Sequence, residues 1–160
     1  AQPTPPPNIV ELEPQQNTWA ATYWNNMGLS GSPVLARHEN RQNTPLDQNW
    51  GNGSPASGTV NNDNFSARFR GLFQFAAGDY DFWVRSDDGI RVWINGIQII
   101  DSWRDGQWST SNTFRQLGAG WHTLTVEYYE NTGTAFVQFG WSRIDGSGGN
   151  GGGSGIIRDQ

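Results

Sequence analysis

Residues 80–96 read YDFWVRSDDGIRVWING, and their period of two marks them as strands. Tyr80, Phe82 and Val84 fall on one face and Asp81, Trp83 and Arg85 on the other, and the alternation resumes at Ile90, Val92 and Ile94. The interruption between the two runs is therefore a strand-to-strand connection. Asp88-Gly89 suits a two-residue hairpin turn, which accounts for Asp88 better than for Asp87.

The same pattern, punctuated by turn residues, recurs along the chain and predicts strands at Thr18–Trp24, Asn64–Phe75, Gly78–Ser86, Ile90–Ile94, Ile97–Asp101, Ser109–Leu117, Gly120–Glu130 and Ala135–Ser142. Asn95-Gly96 within WINGIQII supplies the two positive-φ residues of a type I′ hairpin. No convincing helix pattern interrupts the series. The class is all-β: an antiparallel β-sandwich, jelly-roll-like or a squat barrel, with long surface loops. Two connections stand out. Residues 25–63 are rich in Gly, Pro and Asn, whereas SWRDGQW, residues 102–108, is short and aromatic. Either can carry binding residues on a rigid scaffold.

AQPTPPPN, with four prolines in eight residues, reads as a stiff Pro-rich linker over 1–9. The ordered domain is expected over 10–144, and 145–160 as a Gly-rich flexible linker ending in a short apolar tail at Ile156 and Ile157. The chain begins at Ala1 with no initiator Met or signal-type segment, which reads as a piece of something larger. No apolar run approaches the ~20 residues of a membrane span, so no membrane insertion is expected.

Charge excludes a further class. A formal charge of -5, with ten Arg and no Lys, argues against nucleic acid, whose binding relies on clustered cations that displace counterions. The chain has no Cys, hence neither a disulfide framework nor thiolate chemistry. His38 and His122 have no second close His or triad partner to suggest metal hydrolysis or nucleophilic catalysis, and both read as structural or solvated.

Calcium explains Asp87 and Asp88 together. Ca²⁺ takes about 6 to 8 oxygens, and two carboxylates on one ion supply charge as well as ligands. Neighbours on an extended trans chain point opposite ways, so both reach one ion only across a sharp bend, such as a cis peptide.

The blocks YDFWVRSDDGIRVWINGIQIIDSW and LGAGWHTLTVEYYENTGTAFVQFGW, preceded by YWNNMGLSG and DNFSARFRG, resemble in content and order the protective-antigen-type (PA-fourteen) domain over roughly residues 18–143. That family is a β-sandwich of yeast flocculins, bacterial surface adhesins, glycosidases and toxins. Its sugar-binding members hold Ca²⁺ with paired aspartates joined by a cis peptide. The resemblance implies that Asp87 and Asp88 are the calcium pair. It also implies that the loop after VEYY, ENTGTA, adds the Asn131 amide and carbonyls from Thr132 to Ala135, and that vicinal sugar hydroxyls complete the shell. Asn131, followed by Thr132-Gly133, is otherwise a plain turn residue.

Trp103, Arg104 and Trp108 offer a sugar-stacking rim, since aromatic faces suit the apolar faces of pyranose rings and Arg is a fork donor. Trp103 reads alternatively as a core residue. Trp19, Trp24, Trp83, Trp93, Trp121 and Trp141 lie in strand patterns and read as core or sheet-face residues. Adjacent acids in a short loop do not resemble the separated carboxylates of a glycosidase, so no enzyme activity is expected.

The expectation is a calcium-dependent, non-catalytic carbohydrate-binding, adhesin-like module of a secreted or cell-surface protein. Its partners would be glycans or cell-surface polysaccharide, bound weakly and made useful by repetition. The alternative is a structural or assembly module, a spacer or a repeating subunit of a surface filament. In that setting Ile156 and Ile157 either begin a following domain or let the C-terminal tail self-assemble by adding a strand to an exposed sheet edge.

Overall fold

The computed structural model describes residues 8–39 and 46–144. Ten strands run through them: β1 (Trp19–Trp24), β2 (Leu35–Glu39), β3 (Leu46–Gly51), β4 (Phe65–Phe75), β5 (Gly78–Asp87), β6 (Ile90–Ile94), β7 (Ile97–Ser102), β8 (Gln107–Leu117), β9 (Gly120–Glu130) and β10 (Ala135–Arg143). They form two antiparallel sheets, one of six strands in the order β2-β1-β4-β9-β6-β7 and one of four in the order β3-β10-β5-β8. The two stack as a sandwich. The Ile156–Ile157 tail and most of the Pro-rich segment lie outside the described residues.

Alternation builds the core. Phe65, Ala67, Phe69 and Phe73 of β4 and Leu124, Val126 and Tyr128 of β9 turn inward from the larger sheet, to meet Phe82 and Val84 of β5 and Val137 and Phe139 of β10. Rings carry much of the contact: Phe82 stacks on Phe139 at 5.9 Å, and Trp19 meets Phe73 at 5.0 Å. Aromatic pairs at such separations contribute beyond their buried area. Gly71 makes room for this packing, since a Cβ there would stand 2.9 Å from the Trp19 ring.

Two strands lie inside the stretch expected to be a long loop, 25–63. β2 pairs with β1, and β3 pairs with β10, each at the edge of its sheet. β3 alternates, but one of its inward positions is Gln48, so its apolar signal is thin. β2 is half-buried at every position, which leaves no contrast between its faces.

A second correction bears on function. Asp88-Gly89 is not a hairpin turn, because β5 belongs to the four-stranded sheet and β6 to the six-stranded one. The acid pair sits on a corner that crosses between sheets. Asn95-Gly96 does close the β6–β7 hairpin, with Ile94 opposite Ile97 and φ of 49° and 83°.

The other crossings gather at the same end. Asp87 stands opposite both Gln107 and Phe136, Ile90 opposite both Ser102 and Tyr128, Phe65 opposite Glu130, and Ala135 opposite Gly51. Segments 52–64, 103–106 and 131–134 therefore surround the Asp88 corner. At the edge of the domain, an N-terminal segment runs over the outer face of β4: Gln16 bridges Leu72, Glu11 pairs with Arg68 at 2.5 Å, and the Arg70 guanidinium donates to the Leu12 carbonyl. Among the described residues, no helix is long and apolar enough to cross a membrane.

Candidate metal centre

The corner is pinned from both sheets. The Asp88 N–H donates to the Tyr129 carbonyl at 3.2 Å, and the Tyr129 N–H returns to the Gly89 carbonyl at 3.0 Å. The Tyr128 hydroxyl donates to the Asp87 carbonyl and the Ser86 hydroxyl to the Asp88 carbonyl. Gly89 is required by proximity, because a Cβ there would run into the Tyr129 ring. The Asp87–Asp88 peptide is cis.

Asp88 is buried, and both its oxygens are engaged: Oδ1 accepts from the Gly106 N–H and Oδ2 from the Asn131 N–H, each at 2.9 Å. One carboxylate thus ties the β7–β8 loop to the β9–β10 loop. Each oxygen has a second lone pair for a cation. Asp87 is more open, with Oδ2 accepting from the Gln107 amide and the Thr134 hydroxyl at 3.2 Å.

The third member was not anticipated. Asp87, Asp88 and Glu130 each bring one carboxylate oxygen within 4.8 Å of the others. Glu130 is fully buried, and its Oε2 has no hydrogen-bond partner. Burial, then the charges of Asp88 and Asp87, push its carboxyl up to about 9. Burial also raises the Asp87 carboxyl, with the neighbouring Asp88 charge adding to it. The signal for Glu130 is in its phase: it follows Leu124, Val126 and Tyr128 on the inward face of β9, where an acid is out of place without a partner.

The donor set tests what such a centre would hold. Three carboxylates with no His or Cys form an oxygen-only set suited to a hard cation, and an orphaned buried oxygen is a position a cation would satisfy. The residues therefore fit Ca²⁺.

The remaining expected site residues stand around this cluster. The Asn131 backbone lies against Asp88, and its side-chain Nδ2 donates to Asp105 Oδ2 at 2.8 Å. Asp105 Oδ1 accepts from the Tyr129 hydroxyl at 2.6 Å, and the two bonds, Tyr129 first, hold its carboxyl below the usual range. Trp103 is half-buried rather than part of the core. Its ring meets Tyr129 at 4.8 Å, and the Arg91 guanidinium lies 3.7 Å from its centroid. Arg104 is exposed over the Trp108 ring at 4.6 Å, and Trp108 Nε1 donates to the Arg104 carbonyl. Of the strand tryptophans, Trp19 and Trp24 are buried, whereas Trp121 is 38% exposed.

The pattern of the PA14 domain matches residues 15–151. The Anti-sigma-I factor RsgI3 of Acetivibrio thermocellus is 29% identical over 122 residues, which make up 75% of this chain and 18% of that protein. A solved anti-sigma factor domain-containing protein from Clostridium clariflavum shares 28% identity at a TM-score of 0.67, over 78% of this chain and 41% of its own. The PA14 sugar-binding domain from an RTX adhesin superposes with a TM-score of 0.59 over 81% of this chain and 91% of that one. At 16% identity, that likeness is one of fold. The chain thus spans less than half the length of the anti-sigma relatives.

Proposed function

The chain belongs to the PA14 domain family, and from that premise we propose that it is a calcium-dependent, non-catalytic carbohydrate-binding module. The observation that carries the reading is the cluster of Asp87, Asp88 and Glu130, with a buried Glu130 oxygen that has no partner. These acids hold the ion, with the Asn131 amide oxygen as a further ligand. Bound calcium supplies a positive centre for two vicinal hydroxyls of a sugar, and the open side of Asp87 accepts hydrogen bonds from them. Trp103, Arg104 and Trp108 border the loop end that a glycan would approach.

The engagement of Asp88 favours binding over hydrolysis. With both oxygens held by backbone N–H groups, it is fixed in place between two loops instead of facing a substrate bond. The kinship with sugar-binding PA14 domains supports a glycan as partner and an extracellular or cell-surface location. The likeness to part of an anti-sigma-I factor favours a particular setting, in which the module reads a glycan for a longer regulatory chain rather than anchoring a cell.

Calcium at 100 times its dissociation constant adds about 2.7 kcal/mol to the folded state, and chelator reverses it. For a chain of this size that raises Tm by roughly 5 to 10 °C. A glycan array with and without chelator completes the test, with calcium-dependent binding and no hydrolysed product expected. Identical melting curves in calcium and chelator would end the metal reading. Sugar binding that persists in chelator would move the site to the Trp103–Trp108 loop.

A further inference from the structure

Asn131 enters the centre with an ambiguity that its own backbone does not resolve. A carboxamide presents an oxygen at one end and an NH₂ at the other, and the two differ only by a half-turn of the side chain. Oxygen toward a cation is a ligand. NH₂ toward a cation presents the positive ends of its bond dipoles and repels it. Some group must select the orientation.

We propose that Asp105 is the positioning residue of the cation site, and that it acts through Asn131. This rests on the calcium reading above and adds to it a residue outside the carboxylate cluster. The Asp105 carboxylate accepts from Asn131 Nδ2 at 2.8 Å, and a carboxylate cannot donate to an amide oxygen. The bond therefore fixes the amide: its nitrogen end is committed to Asp105, and Oδ1 is the end left to accept a cation.

Asp105 is itself held in place. Its other oxygen takes the Tyr129 hydroxyl at 2.6 Å, and Tyr129 is seated against Trp103, which is in turn covered by Arg91. One residue further on, the Gly106 N–H donates to Asp88 Oδ1. The β7–β8 loop thus touches the centre twice, directly at Asp88 and through Asp105 at Asn131. Trp103 has a place in this scheme as a brace, whether or not a sugar stacks on it.

The test uses isothermal titration of Ca²⁺ into the protein, with melting curves in chelator as the control for folding. Asp105→Ala should weaken calcium binding by about 10-fold, the scale on which partners behind a metal ligand act. Melting in chelator should change little, because Asp105 is exposed. Asp105→Glu keeps an acceptor that cannot donate to the Asn131 amide oxygen, so its affinity should return most of the way to that of the unaltered chain. In an Asn131→Ala background, Asp105→Ala should cost nothing further.

Should the alanine variant not fold, Asp105→Ser takes its place, with a hydroxyl too short to reach Asn131. Unaltered affinity in the Ala or Ser variant overturns the proposal. So does a full additional loss in the Asn131→Ala background, since charge alone would then be responsible, and so does a Glu variant as weak as the Ala variant, since an acceptor at this position would then not matter. Absence of calcium binding by the unaltered chain would instead refute the calcium reading itself, a distinct outcome.

Discussion

Asp87 and Asp88 carry the same charge and adjoin the same cluster, yet their replacement by alanine should have different consequences. Both variants should lose the calcium response proposed above. In chelator they separate, because Asp88 is buried with two backbone N–H groups bonded to it, whereas Asp87 is half-buried with two side-chain partners at 3.2 Å. A hydrogen bond to a charged acceptor contributes about 1.5 to 3 kcal/mol, and removing Asp88 leaves two N–H groups without their acceptor. Relief of the crowding between Asp88, Asp87 and Glu130 offsets part of that, leaving a net loss of about 3 kcal/mol. In a chain of this length the loss corresponds to a Tm roughly 6 to 12 °C lower. Asp87→Ala should cost no more than about 1 kcal/mol, since its partners reach water when it is removed. Scanning calorimetry in chelator reads both. Equal Tm values for the two variants would refute the argument that Asp88 ties the loops together independently of calcium.

Two further outcomes follow from packing and charge outside the acid cluster itself. Gly89→Ala places a methyl group into the Tyr129 ring and should destabilise the fold by roughly 1 to 3 kcal/mol, read by urea unfolding; a midpoint equal to that of the unaltered chain would show that Tyr129 can yield. Asp79, at the opposite end of the sandwich, has its carboxyl held low by the Gln116 N–H and then by Arg115. A depressed folded-state pKa contributes stability that is present above the unfolded value and lost as pH falls through the folded one, so Asp79→Asn should flatten the decline of stability below about pH 4.

Eight strands were legible because strand-forming runs stand between turn residues, most plainly in β4, β5 and β6, where buried apolar positions alternate with more open ones, and β6 and β9 begin and end where the predicted runs do. β2 and β3 were not, since edge strands need only half a buried face and Gln48 occupies a position where an apolar residue would have announced one. The corner at Asp88-Gly89 shows a different limit. Alternation records which residues face the core, but a hairpin and a crossing between sheets have the same alternation on either side. Only the pairing partners of β5 and β6 separate them. The acid pair could be read from sequence because two adjacent carboxylates at a turn are conspicuous. Glu130 stood in plain view in the phase of β9, hidden by lying at its last position, where a strand commonly emerges into solvent. Asp105 could not be read at all, since its meaning depends on Tyr129 and Asn131, each more than twenty residues away in sequence.

The position of β10 bears on how the domain would respond to being pulled. This strand starts at the loop end, directly after residues 131–134, and finishes at the far end, where Arg143 stands opposite Tyr80 and the Ile144 N–H meets Asp79. It is an inner strand, paired at eight positions with β5 and at five with β3. A force applied between a ligand held at the loops and the chain leaving beyond Arg143 would run along the strand. Both ladders would then be loaded in shear, all bonds sharing the tension at once, instead of being peeled apart one after another. The long axis of the sandwich would then be its mechanically strong direction, and the Asp88 corner lies at one end of that axis.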